Sequence, residues 1–522
     1  MNTERTWMRW LERALFLIGV LLVVHPVVSS RFFFTVDGPA HAYNASLLLD
    51  LFDTPSEGRA WEVNPVPVPN WTGHVLLALL QLVLQAPEAL KVVYLLCLVG
   101  LPFAFRAVVK DHSSGPPWAS SLSLPLAMHL PFAMGYLNFA IGIVLFLLIV
   151  HRWERLVRTS FAQRQWWYLA ILLLVLYFSH LVPFLFALIW LGLQWCYAAL
   201  GPGAMNGPAR GYWLRKAGLL VFCALPGSLF TAAYLLSGSS DGASLLAEWG
   251  AGPDRWYILF LPFQNADGPS EVLIWKMFLF AVGAIILGLS MDIGPLPRQH
   301  ASGPPASLLV PVGAFMIATI LFATLPDRFG KGGDVLIRMT LLMHLCAFIV
   351  IAHLPIPRTV GLSAALLGCG MVVLQDHVRS GLHKAGEERT RQCYEACSKI
   401  PVGSTIVTVA FPWTDAHLAE IAAADRHALH LSNYEFINPH FPLRWKPLVA
   451  EQMRMLPNDP LDRLGAYSNT RGALIRIADH IIVMGGTPVE LGPGAMFDME
   501  RELERSHVPT FANNTCRIYS RR

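Results

Sequence analysis

Charge is scarce in this chain: Asp, Glu, Lys and Arg make up 14% of its 522 residues, against about 25% in soluble domains. The 39 Lys and Arg exceed the 35 Asp and Glu by only four, too small an excess for the basic footprint of a nucleic-acid binder. Nucleic acid is therefore not an expected partner. Eight cysteines are present, and Cys97, Cys196, Cys223, Cys346 and Cys369 lie in apolar runs. Only Cys393, Cys397 and Cys516 fall in polar sequence. Without a Cys-x-x-Cys pair there is neither a disulfide framework nor a thiolate metal site. Neither a GxGxxG nor a GxxxxGK[ST] loop occurs, which argues against a soluble nucleotide site. Internal repeats and low-complexity tracts are missing too.

What fills the chain instead is apolar sequence, 54% of the residues. Runs long enough to approach a bilayer crossing of about 20 residues occur near 14–30, 88–109, 119–134, 136–151, 166–180, 182–200, 217–236, 272–291, 306–325, 335–353 and 359–375. They predict an α-helical polytopic membrane protein with about eleven spans. The first run follows Arg5, Arg9 and Arg13 like a signal peptide, but so many later spans favour a retained anchor. Residues 119–151 read either as one kinked helix or as a hairpin about Met134-Gly135-Tyr136.

Charge placement favours the hairpin. With a cytoplasmic N-terminus, the inside loops then hold Arg106 and Lys110; Arg152, Arg155, Arg158 and Arg164; Arg210, Arg215 and Lys216; Arg298; and Arg358, as the positive-inside rule requires. The same parity puts 31–87, 237–271, 326–334 and everything after 376 outside. It also requires the apolar stretch Thr72 to Ala86 to lie in the outer leaflet rather than cross it.

From His377 the sequence turns polar, so the chain divides into a membrane domain, 1–376, which includes the outside loop 31–87, and a soluble C-terminal domain, 377–522. Ser404 to Ala410, Ile475 to Met484 and Cys516 to Ser520 read as strands and Met496 to His507 as a helix, hence an α/β domain. A disulfide from Cys516 to Cys393 or Cys397 is open if this tail is periplasmic.

The first outside loop carries the most informative residues. Asp37 emerges from the first span, Gly38-Pro39 breaks that helix, and Ala40 to Phe52 restarts it, with His41 one turn beyond Asp37. A carboxyl at a membrane face has a raised proton affinity and suits a general base; Asp is equally a favoured helix cap. The loop ends in Asn64-Pro65-Val66-Pro67-Val68-Pro69-Asn70-Trp71-Thr72-Gly73-His74. Asn138 marks the tip of the hairpin, as a cap or as a polar contact, and His180 the outside end of the fifth span. Arg328, Lys331 and Arg338 gather at an outside mouth against the positive-inside trend, which suits a lipid phosphate; the plainer reading is a snorkelling Arg338 with two solvated cations. The 237–271 loop mixes Asp241, Glu248, Trp249, Asp254, Arg255, Trp256 and Asp267, as a sugar site or an interfacial aromatic belt would. In the tail, Ser432-Asn433-Tyr434-Glu435 and Phe441 to Trp445 are polar-aromatic segments able to form an acceptor surface, though the chain alone does not give their function.

An acid just after span one, a long outside loop ending in a Pro-rich turn, an in-plane apolar helix, many short spans and an outside C-terminal domain together resemble the GT-C superfamily of membrane glycosyltransferases. The resemblance covers the whole chain in layout. It implies a polyprenyl-phosphate-linked sugar donor, an extracytoplasmic lipid or glycan acceptor, inversion at the anomeric carbon, Asp37 as catalytic base, and Arg328, Lys331 and Arg338 at the donor phosphate. His41, Asn138 and His180 would line the cavity. Many members place a second acid where this chain has Asn138, which weakens the case for a metal there. His41, His74, His180 and Asp37 follow no known ligand spacing, so the expectation is no cofactor, a divalent metal being the exception to watch for. Short loops and the absence of sorting signals point to a bacterial inner membrane. A transporter or flippase of a lipid-linked glycan, and a non-catalytic scaffold of an envelope-polysaccharide assembly, are the competing readings.

Overall fold

In hydrocarbon every backbone N–H and C=O must find its partner within the chain, and a helix achieves that within one segment. The computed structural model describes residues 2–53, 59–112, 116–158, 163–200, 210–237, 306–329, 333–354, 356–410, 413–438, 440–447, 449, 476–485 and 503–522, with short pieces at 247–248, 255, 258–259, 276–279 and 282–283. Among these, seven helices are long and apolar enough to cross a membrane: Trp7–Ser29, Ala86–Asp111, Leu137–Glu154, Leu181–Leu200, Gly211–Ser237, Val335–Ala352 and Thr359–Cys397. Shorter apolar helices cover Thr72–Gln81, Gln165–Ser179 and Leu308–Thr324. The chain is thus a mainly helical protein with several membrane-length helices. Most of the run at 272–291 lies outside the described residues.

One expected span is absent as a helix. Residues Trp118–Ser123 form a 3-10 helix, turns follow, and only Leu130–Ala133 is α-helical. Proline explains the departure: Pro116, Pro117, Pro125 and Pro131 each remove a donor, and Ser123 Oγ turns back to the Ser120 carbonyl at 2.7 Å. The segment is buried from Trp118 to His129, the condition under which irregular backbone is tolerated at membrane depth. Glycine lets helices close on it, since a Cβ at Gly361 would strike the Trp118 ring at 2.5 Å.

The chain divides into two compact units, one of residues 1–26, 95–133 and 138–380, the other of 27–94, 134–137 and 381–522. This differs from a boundary at 376/377. Residues 31–87 belong with the C-terminal residues, and the helix Arg358–Cys397 runs without a break through the change in composition. Within the first unit, Glu12 and Arg106 form a buried ion pair, and Arg106 also donates to Ser120 Oγ at 3.0 Å.

The second unit is α/β. Its five-stranded mixed sheet runs Leu429–His430, Thr405–Ala410, His480–Met484, Cys516–Arg521, His507–Ala512. The first three strands are parallel and the others antiparallel. Ile406, Val407, Ile481, Ile482 and Met484 are buried, as expected of strands covered on both faces. The crossover helix Leu418–Arg426 is rich in buried alanines, Ala419, Ala422, Ala423 and Ala424, and packs on the helix Gly38–Asp53. Trp61–Val63 pairs antiparallel with Leu443–Trp445, tying residues 31–87 to the tail. The helix Thr72–Gln81 buries His74, Leu77 and Ala78 and exposes Val75 and Leu79. The helical reading of 496–507 falls largely outside the described residues, and His507 itself begins a strand. All eight cysteines are free; Cys393 and Cys397 stand Sγ to Sγ at 3.9 Å.

Candidate functional site

In the second unit, Asp37 is placed by glycine on both sides. Its N–H donates to the Met134 carbonyl at 2.9 Å. Gly135 has φ +85°, and a Cβ there would stand 2.7 Å from the Asp37 nitrogen and 2.6 Å from that of Gly38. Thr35 Oγ1 and the Tyr94 hydroxyl hydrogen-bond at 2.6 Å and occupy the space a Gly38 side chain would need. The Asp37 carbonyl accepts from His41 N–H at 3.1 Å, starting the next helix. Its carboxyl, 17% exposed, has Oδ1 3.9 Å from His417 Nε2 and the Tyr434 hydroxyl beside it. Burial raises the proton affinity of Asp37 above the ordinary carboxylate range, against the pull of His417 and His41.

Next to Asp37 lies a buried knot of three groups. Glu435 Oε1 is 2.7 Å from His41 Nδ1, and Oε2 is 2.8 Å from His74 Nε2. The two imidazole nitrogens are 3.3 Å apart. His74 Nδ1 is bonded to the Asn70 carbonyl at 2.8 Å. Glu435 is fixed from behind: its N–H donates to Asn433 Oδ1 at 3.1 Å, and Asn433 Nδ2 donates to Asn44 Oδ1 at 2.8 Å. Burial would raise the Glu435 carboxyl, but His74 and His41 hold it down at about 2. Burial likewise opposes charge on His41, and Glu435 reverses that, raising it.

A second chain of groups leads away on the other side of Asp37. His417 Nδ1 lies 3.2 Å from Glu420 Oε2, His430 Nδ1 lies 2.7 Å from Glu420 Oε1, and His430 Nε2 is 2.9 Å from Thr408 Oγ1. Burial disfavours the His417 cation, yet Glu420, Asp37 and Glu435 raise it to about 9. Asp37 is therefore a carboxyl of raised basicity flanked by imidazoles, an arrangement able to take a proton and pass it on. Among the described residues, His41, His74 and Glu435 are the group whose ligand atoms, all within 4.8 Å of one another, could hold a metal ion. Of His41, His74, His180 and Asp37, whose spacing in the sequence follows no ligand pattern, only His41 and His74 belong to that group.

In the first unit, His180 and Arg338 both meet the ring of Phe139, the residue after Asn138. The Phe139 ring meets His180 edge-on at 5.3 Å and lies beneath the Arg338 guanidinium at 5.9 Å. Asn138 is buried, and Arg338 also donates to the Gly333 carbonyl. His180 Nδ1 accepts from Val182 N–H at 3.1 Å. Arg328 is exposed in a two-residue strand opposite Glu248. Lys331 lies outside the described residues, as do Asp241, Trp249, Asp254, Trp256 and Asp267. Arg255 donates to the Ala323 and Leu325 carbonyls at the C-terminal end of the helix Ala306–Thr324.

Reading the sequence alone missed Glu435, His417, Glu420 and His430. His417 and Glu420 carried a signal, since an i, i+3 pair shares a helix face. Glu435 carried only the polar flanks of an Asn-Tyr-Glu segment. No protein-family model matches this chain and no curated protein matches it, so the side chains themselves carry the functional reading.

Proposed function

We propose that this chain is a membrane glycosyltransferase of the GT-C type, moving a sugar from a polyprenyl-phosphate donor to an extracytoplasmic lipid or glycan acceptor. The observation that carries the reading is the Asp37 carboxyl, raised in proton affinity by burial and flanked by His417 and His41. A base of that kind takes the acceptor hydroxyl's proton as its oxygen attacks the anomeric carbon. A single displacement inverts that carbon. In the membrane unit, Arg338 with Arg328 and Lys331 holds the donor phosphate, where charge grows as the lipid leaves. By this reading His41 serves beside the base, and Asn138 and His180 serve the donor end with Arg338 in the membrane unit.

The proposed topology has eleven crossings, a cytoplasmic N-terminus and a periplasmic C-terminal domain in the inner membrane of a bacterium. On this count the buried, proline-broken segment 118–133 crosses without being a long helix. The contact of Met134 with Asp37 supports the parity, because both were assigned outside on charge alone.

The test is transfer of labelled sugar from a panel of polyprenyl-phosphate donors to membrane-extracted acceptors, with Asp37→Asn beside the wild type. Loss of a base contributing roughly 10²–10⁴-fold with donor binding retained is the expected result. Equal transfer by both proteins removes Asp37 as the base. A wild type inactive with every donor overturns the transferase reading.

A further inference from the structure

We infer that His41, His74 and Glu435 bind one divalent transition-metal ion of the zinc class. Two imidazole nitrogens and one carboxylate, each nine-tenths or more buried, converge from three separate stretches of chain.

The hydrogen bonds dictate where the lone pairs point. A carbonyl oxygen only accepts, so the 2.8 Å contact with Asn70 O puts the hydrogen of His74 on Nδ1. In the neutral ring, Nε2 then carries a lone pair, and that lone pair faces Glu435 Oε2 at 2.8 Å and His41 Nδ1 at 3.3 Å. Either protons on the imidazoles or one cation must sit among these three atoms, and a single cation can take a lone pair from each of them at once. A carbonyl that fixes the far nitrogen of an imidazole is also the usual support of a metal-binding histidine. Asn70 adopts φ +71° to offer it, while its side chain donates to the His440 carbonyl at 3.1 Å. Glu435 has the matching support from Asn433 and Asn44.

The donor set selects the ion. Magnesium and calcium prefer oxygen ligands throughout, whereas two imidazoles with one carboxylate suit zinc and its neighbours. Three protein ligands leave a fourth position for water or a substrate oxygen. Asp37 is close enough for its charge to act on His41. Metal uptake needs no sugar donor, so this inference and the transferase reading stand or fall separately.

The experiment uses the full-length protein in detergent, stripped with a chelator, dialysed against Zn²⁺ or Co²⁺ and assayed by elemental analysis and the visible spectrum of the cobalt form. One ion per chain and an intense low-coordinate cobalt spectrum are expected in the wild type. Zn²⁺ should also raise its thermal midpoint. His74→Ala and Glu435→Gln should each weaken uptake at least tenfold, while His427→Ala, at an exposed histidine paired with Asp50, should leave it unchanged. Stripped wild type that takes up neither ion overturns the inference whatever the variants do, and leaves two protonated imidazoles sharing one carboxylate. Uptake lost equally in His427→Ala marks adventitious surface binding and overturns it too.

Discussion

The Asp37 N–H and the Met134 carbonyl are joined by a 2.9 Å hydrogen bond, so the residue that follows the first membrane-length helix is held by a turn far along the chain. Gly135 makes that contact reachable. Its positive φ and the absence of a side chain together let the backbone of that turn touch the Asp37 backbone.

Gly135→Ala should therefore displace Asp37. A non-glycine residue at positive φ costs of order 1–3 kcal/mol, and here a methyl group also meets two backbone nitrogens within 2.7 Å. We expect a lower thermal midpoint and a larger fall in sugar transfer than in donor binding. Gly192→Ala is the control, because nothing lies within 4 Å of its Cβ position; its stability should hold or rise. Equal behaviour of the two variants would show that the close approach at Gly135 positions nothing.

Arg338→Ala should weaken binding of a polyprenyl phosphate to the detergent-purified protein. Arg338→Lys should recover only part of the loss, since an ammonium offers neither paired donors nor a flat face for Phe139. Unchanged affinity in the alanine variant would move the phosphate site elsewhere.

Glu12 and Arg106 predict a stability effect independent of chemistry. Glu12→Gln leaves a buried guanidinium over the Phe16 ring without its carboxylate, and breaking such a pair costs roughly 3–5 kcal/mol. Replacing both residues with Met should restore much of the loss, as apolar replacement of a whole buried pair often does. Thermal unfolding in detergent measures both, and a double variant as unstable as the single one would refute the ion-pair account.

The class of the protein was legible because bilayer crossing demands long apolar runs, and such runs survive in composition alone. Residues 119–134 satisfied that demand and still did not form a long helix, because proline spacing, not hydropathy, decides the backbone there. Asp37 and His41 were legible from their place after a helix break. Glu435 was not, since its partners His41 and His74 lie in another stretch of chain, and a buried carboxylate reads in sequence like any surface acid. The tail's strands were found by their β-branched runs. Its union with loop 31–87 was not, because pairing such as Trp61 with Trp445 leaves no periodic trace.

His417 gives the pH prediction. Asp37, Glu420 and Glu435 act on it with negative charge, the Tyr434 ring lies 4.8 Å from its own, and His430 shares Glu420 with it. Burial opposes its protonation and the acids prevail, so the folded protein holds this proton up to about 9 against 6.5 for a free histidine. Where the folded state binds a proton more tightly than the unfolded chain, raising the pH withdraws stability. The contribution is thus complete below about pH 6.5 and lost as the pH climbs through about 9. Thermal midpoints between pH 6 and 10 should fall by several degrees in the wild type and much less in His417→Gln. Asp37, titrating as a carboxyl of raised affinity, adds its own dependence in a more acidic window, and His417→Gln, by removing a charge that lowers that affinity, moves this window upward. An unaltered alkaline slope in that variant would mean that His417 is neutral in the folded protein and that the Asp37–His417–Glu420 chain does not carry a proton.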